Sequence, residues 1–126
     1  MTRVLPEILV FCFLSSSLAL DFAVIGDYGY IYNLTNAETT FAAMEREAAK
    51  DPFDFVMTVG DNVYYYGIES IYDPHFAEMY TLFTNQPHLK DVTIHPVLGN
   101  HDCRLNPEAQ VAMTFNEEYN WKMPGR

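Results

Sequence analysis

Three apolar, β-branched runs in this chain each stop at a glycine followed at once by an acid or an amide: Gly26-Asp27, Gly60-Asp61 and Gly99-Asn100. The runs are Asp21–Ile25, Phe53–Val59 and Thr93–Leu98, and their short length between turn residues marks them as strands. Helix formers fill the intervals. Thr35 and Glu38 have the spacing of a capping box, and Phe41, Met44 and Ala48 recur at helical spacing within Ala37–Lys50. Asp73-Pro74 is a cap followed by proline in the first turn, which predicts a helix to Phe83 with Phe76, Met79, Tyr80 and Phe83 as its apolar stripe. Asn106-Pro107 repeats that signal and opens a third helix toward Tyr119. The βαβαβα order predicts an α/β fold of parallel strands joined by crossovers. The first run is apolar enough to be buried on both faces. Pro96 cannot donate to a ladder, so it marks either an edge position or a strand start.

In parallel sheets of this kind, ligands gather beyond the carboxyl ends of the strands. All three phrases fall there, so Asp27, Asp61 and Asn100 are expected to converge. Their oxygens suit a hard metal ion; an ionised carboxylate can bridge two metals, and an amide carbonyl ligates without adding charge. Tyr64 lies three residues past Asp61, close enough to join them. A phenol ordinarily keeps its proton to a pH of about 10, but a highly charged cation can remove it. Tyr65 and Tyr66 read as an aromatic surface cluster. His101 is a candidate acid toward a leaving alkoxide, or a positive charge beside a phosphate, with Asp102 placed to orient its ring. His75, His88 and His95 stand outside the phrases and read as surface or core histidines.

The beginning of the chain has a different character. Arg3 leads into the apolar run Ile8–Leu14 and then Ser15, Ser16, Ser17 and Ala19, the pattern of a secretory signal peptide over residues 1–20, cleaved after Ala19 or Leu20. The domain proper would span residues 21–126. A spanning helix needs about 20 continuous apolar residues, so no membrane anchor is expected after cleavage. Cys12 leaves with the signal, and Cys103 remains: buried and inert, paired with another chain, or paired with a residue outside this sequence. Asn33-Leu34-Thr35 is an N-glycosylation acceptor, which agrees with a secretory route to an extracellular or lysosome- or vacuole-like compartment. A net charge of −10 without a basic patch argues against nucleic acid as a partner. An anionic phosphate ester would have to be attracted by bound metal cations.

Taken in order, Gly26-Asp27-Tyr28-Gly29, Gly60-Asp61-Asn62-Val63-Tyr64 and Gly99-Asn100-His101-Asp102 resemble the first three metal motifs of the calcineurin-like metallophosphoesterases. Tyr64 points within them to the purple acid phosphatases. The run Gly60–Gly67, with Ala109–Ala112 and Tyr119-Asn120-Trp121, resembles their tartrate-resistant branch. The resemblance implies a four-layer α/β/β/α sandwich, of which this chain would be a truncated βαβαβα half, with the C-terminal half missing from the sequence. It also implies a binuclear metal centre: ferric iron on Asp27 and Tyr64, Asp61 bridging to a divalent iron, zinc or manganese, and Asn100 on that second metal. His101 would assist at the substrate, a phosphate monoester hydrolysed at acidic pH. The chain departs from the family where Val-x-x-His and Gly-His-x-His motifs should follow, because no histidine lies beyond Asp102. Val92–His95 has the first spelling but precedes the Asn-His phrase. Three expectations result: the N-terminal portion of a secreted acid phosphatase, a catalytically incomplete secreted product, or a related enzyme acting on diesters or nucleotides.

Overall fold

The computed structural model describes residues 19–123, so the expected signal peptide lies outside the described residues apart from Ala19 and Leu20. The elements are β1 (Phe22–Ile25), α1 (Thr35–Ala48), β2 (Phe55–Thr58), α2 (Pro74–Thr84), β3 (Thr93–His95) and α3 (Pro107–Ala112), followed by a 3-10 turn at Met113–Phe115. The three strands are parallel, in the order β1-β2-β3. Their order and type are those of the βαβαβα pattern.

Register explains which side chains are covered. Ala23, Val56 and Ile94 stand in one row across the sheet, and Val24, Met57 and His95 in the next. Successive side chains on a strand face opposite ways, so these rows belong to opposite faces. Val56 and Ile94 are fully buried, whereas Val24 is 55% exposed and Met57 38%. The helical layer therefore covers one face. The expectation that β1 is buried on both faces is overturned, since nothing among the described residues lies over the Val24 row.

The helices differ from their sequence signals mainly at their ends. α1 starts at Thr35 with Leu34 in the cap position, and no side chain caps it there. Thr35 is already helical, so its N–H is taken by Asn33 Oδ1 at 3.2 Å, and the Glu38 N–H bonds Leu34 O at 2.7 Å. The Thr35/Glu38 capping box therefore does not form. α2 matches its signal: Asp73 Oδ1 accepts the His75 N–H at 3.0 Å, and the predicted stripe is buried. α3 is shorter than the predicted run toward Tyr119 because the chain must turn back to the sheet. There the Ile94 N–H bonds Asn120 O at 2.7 Å and the Lys122 N–H bonds Ile94 O at 2.8 Å. That segment covers the outer side of β3. β3 is an edge strand that ends just before Pro96, so the strand-start reading of this proline fails.

The core beneath the covered face is largely aromatic. Phe41 of α1 meets Phe83 of α2 edge-on at 4.7 Å, and Tyr28 packs on both rings at 5.7 and 6.0 Å. Trp121 lies edge-on to Phe76 at 5.1 Å, and its indole N–H donates to Gln110 O at 3.1 Å. Phe41 is completely enclosed. Phe41→Ala should therefore cost about 3–5 kcal/mol, whereas Val24→Thr on the open face should stay within about 0.5 kcal/mol. Urea unfolding of the two variants measures the contrast.

Candidate metal centre

Each strand hands its donor to a tight loop held against the loop of its neighbour. The Asp27 N–H donates to Gly60 O at 3.1 Å, and the Tyr64 N–H to Gly29 O at 3.0 Å, which ties the first two loops together. Gly60 has φ of +102°, and a Cβ there would stand 2.8 Å from the Gly99 backbone. A Cβ on Gly99 would reach within 2.1 Å of Asp61 Oδ1. Only glycines let the second and third loops approach so closely. The left-handed backbone does not stop at glycine: Asp27 has φ of +56° and Asp61 of +53°. Such conformations cost about 1–3 kcal/mol each and persist where the surroundings enforce them, often at functional sites.

The carboxylates meet on the Tyr64 phenol. Tyr64 Oη lies 2.6 Å from Asp27 Oδ1 and 2.9 Å from Asp61 Oδ2. Asp61 Oδ1 accepts the His101 N–H at 2.9 Å. Asp61 is buried and Asp27 exposed, so the group opens outward from the sheet end. One phenolic proton serves two carboxylates. Partial burial, then the hydrogen bonds to Asp27 and Asp61 and their negative charges, push the Tyr64 phenol far above its usual range. Three hard oxygens around a single proton form a donor set suited to a hard, highly charged cation, which would reverse that electrostatic balance.

Asn100 sits between two residues that touch Asp61: Gly99 packs on its carboxylate, and His101 donates to it. The Asn100 side chain is exposed at this rim. His101 is half-buried, and its Nδ1 lies 2.8 Å from Tyr65 O, which requires Nδ1–H as donor. Arg104 approaches from the other side, with Nη2 3.4 Å from His101 Nε2 and Nη1 3.3 Å from Tyr65 O. The other histidines serve elsewhere: His75 against Asp73, His88 against Glu45, and His95 against Lys122 O. Among the described residues no group of three or more His, Cys, Asp and Glu is placed to hold a metal. The set seen to converge therefore consists of the Tyr64 phenol and the two aspartates, with Asn100 beside it in the chain between two residues that touch Asp61.

Asp102 has a different role from the one its place beside His101 suggests. The Tyr65 carbonyl, not Asp102, holds the His101 ring. The Asp102 carboxylate is completely buried and accepts from Asn62 N, Asn62 Nδ2 and Gly99 N on one oxygen, and from Val63 N and Gln110 Nε2 on the other. It fastens the second loop to the third. Asn62, Gln110 and Arg104 are absent from the sequence-derived site. Asn62 stood in plain view inside the Gly-Asp-Asn phrase, whereas Gln110 is merely one helical residue and nothing local marks it. Asp102→Ala would strand these buried N–H groups, each worth about 1–3 kcal/mol when left unpaired. The expected loss exceeds about 3 kcal/mol, with a smaller loss for Asp102→Asn, read by urea unfolding.

Comparison with known proteins bears on the family and the fold. The calcineurin-like phosphoesterase profile matches residues 20–125. Tartrate-resistant acid phosphatase type 5 of Sus scrofa is 29% identical over 114 residues, covering 83% of this chain and 32% of that protein. Purple acid phosphatase 7 of Arabidopsis thaliana is 35% identical over 104 residues, covering 82% and 31%. The chain thus spans about a third of the length of the curated relatives it matches. Among solved structures, GAP50, the anchor in the inner membrane complex of Plasmodium, superposes with a TM-score of 0.66 at 21% identity, over 83% of this chain and 34% of that one. That likeness shows a shared fold. The profile match over nearly the whole described region, together with these relatives, establishes that the chain belongs to the calcineurin-like phosphoesterase family.

Proposed function

We propose that this chain supplies the oxygen-donating half of a binuclear metal centre that hydrolyses phosphate monoesters. The observation that carries the reading is the Tyr64 phenol held between Asp27 and Asp61. Asp27 and Tyr64 would hold ferric iron, Asp61 would bridge, and Asn100 would hold a divalent iron, zinc or manganese. When bound there, the metals would supply a hydroxide and neutralise charge on the phosphoryl oxygens. The chain's own groups orient and neutralise. The Asp61 carboxylate is fixed by the His101 backbone N–H, and the His101 ring is set by the Tyr65 carbonyl at Nδ1 and by Arg104 at Nε2, so that the imidazole and guanidinium form one rim group that would face a leaving oxygen. Among the described residues Arg104 brings a guanidinium to this site, in a chain of net charge −10. Histidine ligands would come from polypeptide outside this sequence, so turnover is proposed for the assembled domain. The metal-binding half-site is proposed for this chain.

Phenolate bound to ferric iron absorbs visible light by charge transfer, which gives a test independent of turnover. Titrating the full chain with ferric ion should produce such a band. Tyr64→Phe should remove it, Tyr65→Phe should leave it, and Asp61→Asn should weaken iron binding by about tenfold or more. A band that survives Tyr64→Phe would remove the phenol from its assigned place.

The secretory route is part of the same proposal. No helix among the described residues is long and apolar enough to cross a membrane. Asn33 is exposed at the start of α1, and its Oδ1 bonds the Thr35 N–H, leaving the amide nitrogen free to carry a glycan. Chain secreted from a eukaryotic host should lose the mass of one N-glycan on treatment with peptide N-glycosidase. Asn33→Gln should abolish that shift.

A further inference from the structure

The aromatic rings at the site do not end with Tyr64. His101 lies 4.3 Å from the Tyr64 ring and 6.2 Å from Tyr65. Tyr65 contacts Tyr30 edge-on at 5.4 Å and stacks on Tyr32 at 5.8 Å with 24° between planes. Tyr32 then reaches His75 at 6.5 Å. A continuous strip of rings thus runs from the metal donors outward over the surface. Its members remain open to solvent: Tyr65 is 44% exposed and Tyr32 61%. Two of the hydroxyls are occupied with each other: Tyr65 Oη donates to Tyr30 Oη at 3.2 Å, and this bond raises the Tyr65 phenol above its ordinary range. The polar ends of Tyr30 and Tyr65 are thus paired while Tyr30, Tyr32 and Tyr65 all remain open to solvent.

The inner end of the strip is built into the site. Tyr65 follows the candidate ligand Tyr64, and its carbonyl accepts from both the His101 ring and Arg104. Its ring centroid lies 6.2 Å from that of His101, the group proposed to meet the leaving oxygen. Exposed aromatic faces bind planar π systems by stacking, tolerant of which ring is offered. Resting on the phosphate-ester reading above, we propose that Tyr30, Tyr32 and Tyr65 form a leaving-group subsite for phosphate monoesters whose alcohol carries a planar aromatic ring. An aryl group bonded directly to the ester oxygen would lie on Tyr65. A purine set back by a sugar would reach Tyr32. The shared chemistry is a phosphate joined to a flat ring.

Binding to the metal-loaded full chain, followed by calorimetry, tests this without turnover. Inorganic phosphate probes the phosphate-ester reading by itself, and methylphosphonate, phenylphosphonate and adenosine 5′-monophosphate probe the strip. Phenylphosphonate and the nucleotide should bind at least about fivefold tighter than methylphosphonate. Tyr65→Leu should reduce that ratio for both, and Tyr32→Leu for the nucleotide most. Tyr66→Leu, at an exposed tyrosine outside the strip, should leave both ratios unchanged. Near-ultraviolet circular dichroism of each variant checks that the loops are intact. Equal affinities for the aromatic and methyl probes, or ratios untouched by both strip variants, overturn the subsite while leaving the phosphate reading in place. Failure to bind inorganic phosphate overturns that reading, and the subsite with it.

Discussion

One carboxamide touches the ends of all three strands. Asn62 Oδ1 accepts from Thr58 Oγ1 at 2.6 Å and from Tyr28 Oη at 3.1 Å, while its Nδ2 donates to Val97 O at 2.8 Å. Tyr28 follows β1, Thr58 closes β2 and Val97 follows β3. The Asp102 carboxylate beside it gathers backbone N–H groups from the second and third loops. A carboxylate buried without a cationic partner is tolerable only when its lone pairs are filled, and here five N–H contacts fill them. In a water-free setting such a network is worth more than its separate bonds, and it fails as a unit. The same low dielectric, followed by the nearby Asp102 charge, pushes the Tyr28 phenol well above its ordinary range.

That knot accounts for strain that would otherwise relax. Asp27 and Asp61 hold left-handed backbone at positions where most side chains avoid it. Asp61 cannot relax, because the residue after it is bonded through both backbone and side chain to Asp102, and Gly99 lies against its carboxylate. The two carboxylates are therefore held in place by the fold itself, which would limit the ordering cost of binding an ion there as proposed. Rigidity sits beneath the site, and exposure increases toward its rim at Asp27, Asn100 and Arg104.

The sequence revealed the frame because the frame is periodic. Apolar runs of strand length, proline at the first helical turn and glycine before each donor are local signals, and each survives in the structure. Local signals failed where a distant partner decided the outcome. Val24 looks like a core residue, yet its burial depends on a layer over its face, which run length cannot reveal. Thr35 and Glu38 have capping-box spacing, but Asn33 takes the N–H that defines the first turn. Adjacency linked Asp102 to His101, whereas the carboxylate points inward to partners as much as 40 residues away. Gln110 was invisible for the same reason, since its part depends on what stands opposite it in the fold.

Electrostatics joins the frame to the chemistry. An acidic chain that places two carboxylates against one phenol repels phosphate for as long as the centre of that group holds only a proton. Fixed negative oxygens at a separation of a few ångströms interact strongly when one of them is buried, and a multivalent cation removes the repulsion far more completely than a proton can. Under the proposed function, the charge that would favour the metal is thus the charge that would exclude an anionic substrate until the metal is bound. Arg104 and the His101 ring lie on the rim rather than among the donors, where they can meet an anion without competing for the ion. Donors at the sheet end, a cationic and aromatic rim, and a buried polar knot beneath them form successive shells. Each outer shell depends on the geometry of the one inside it.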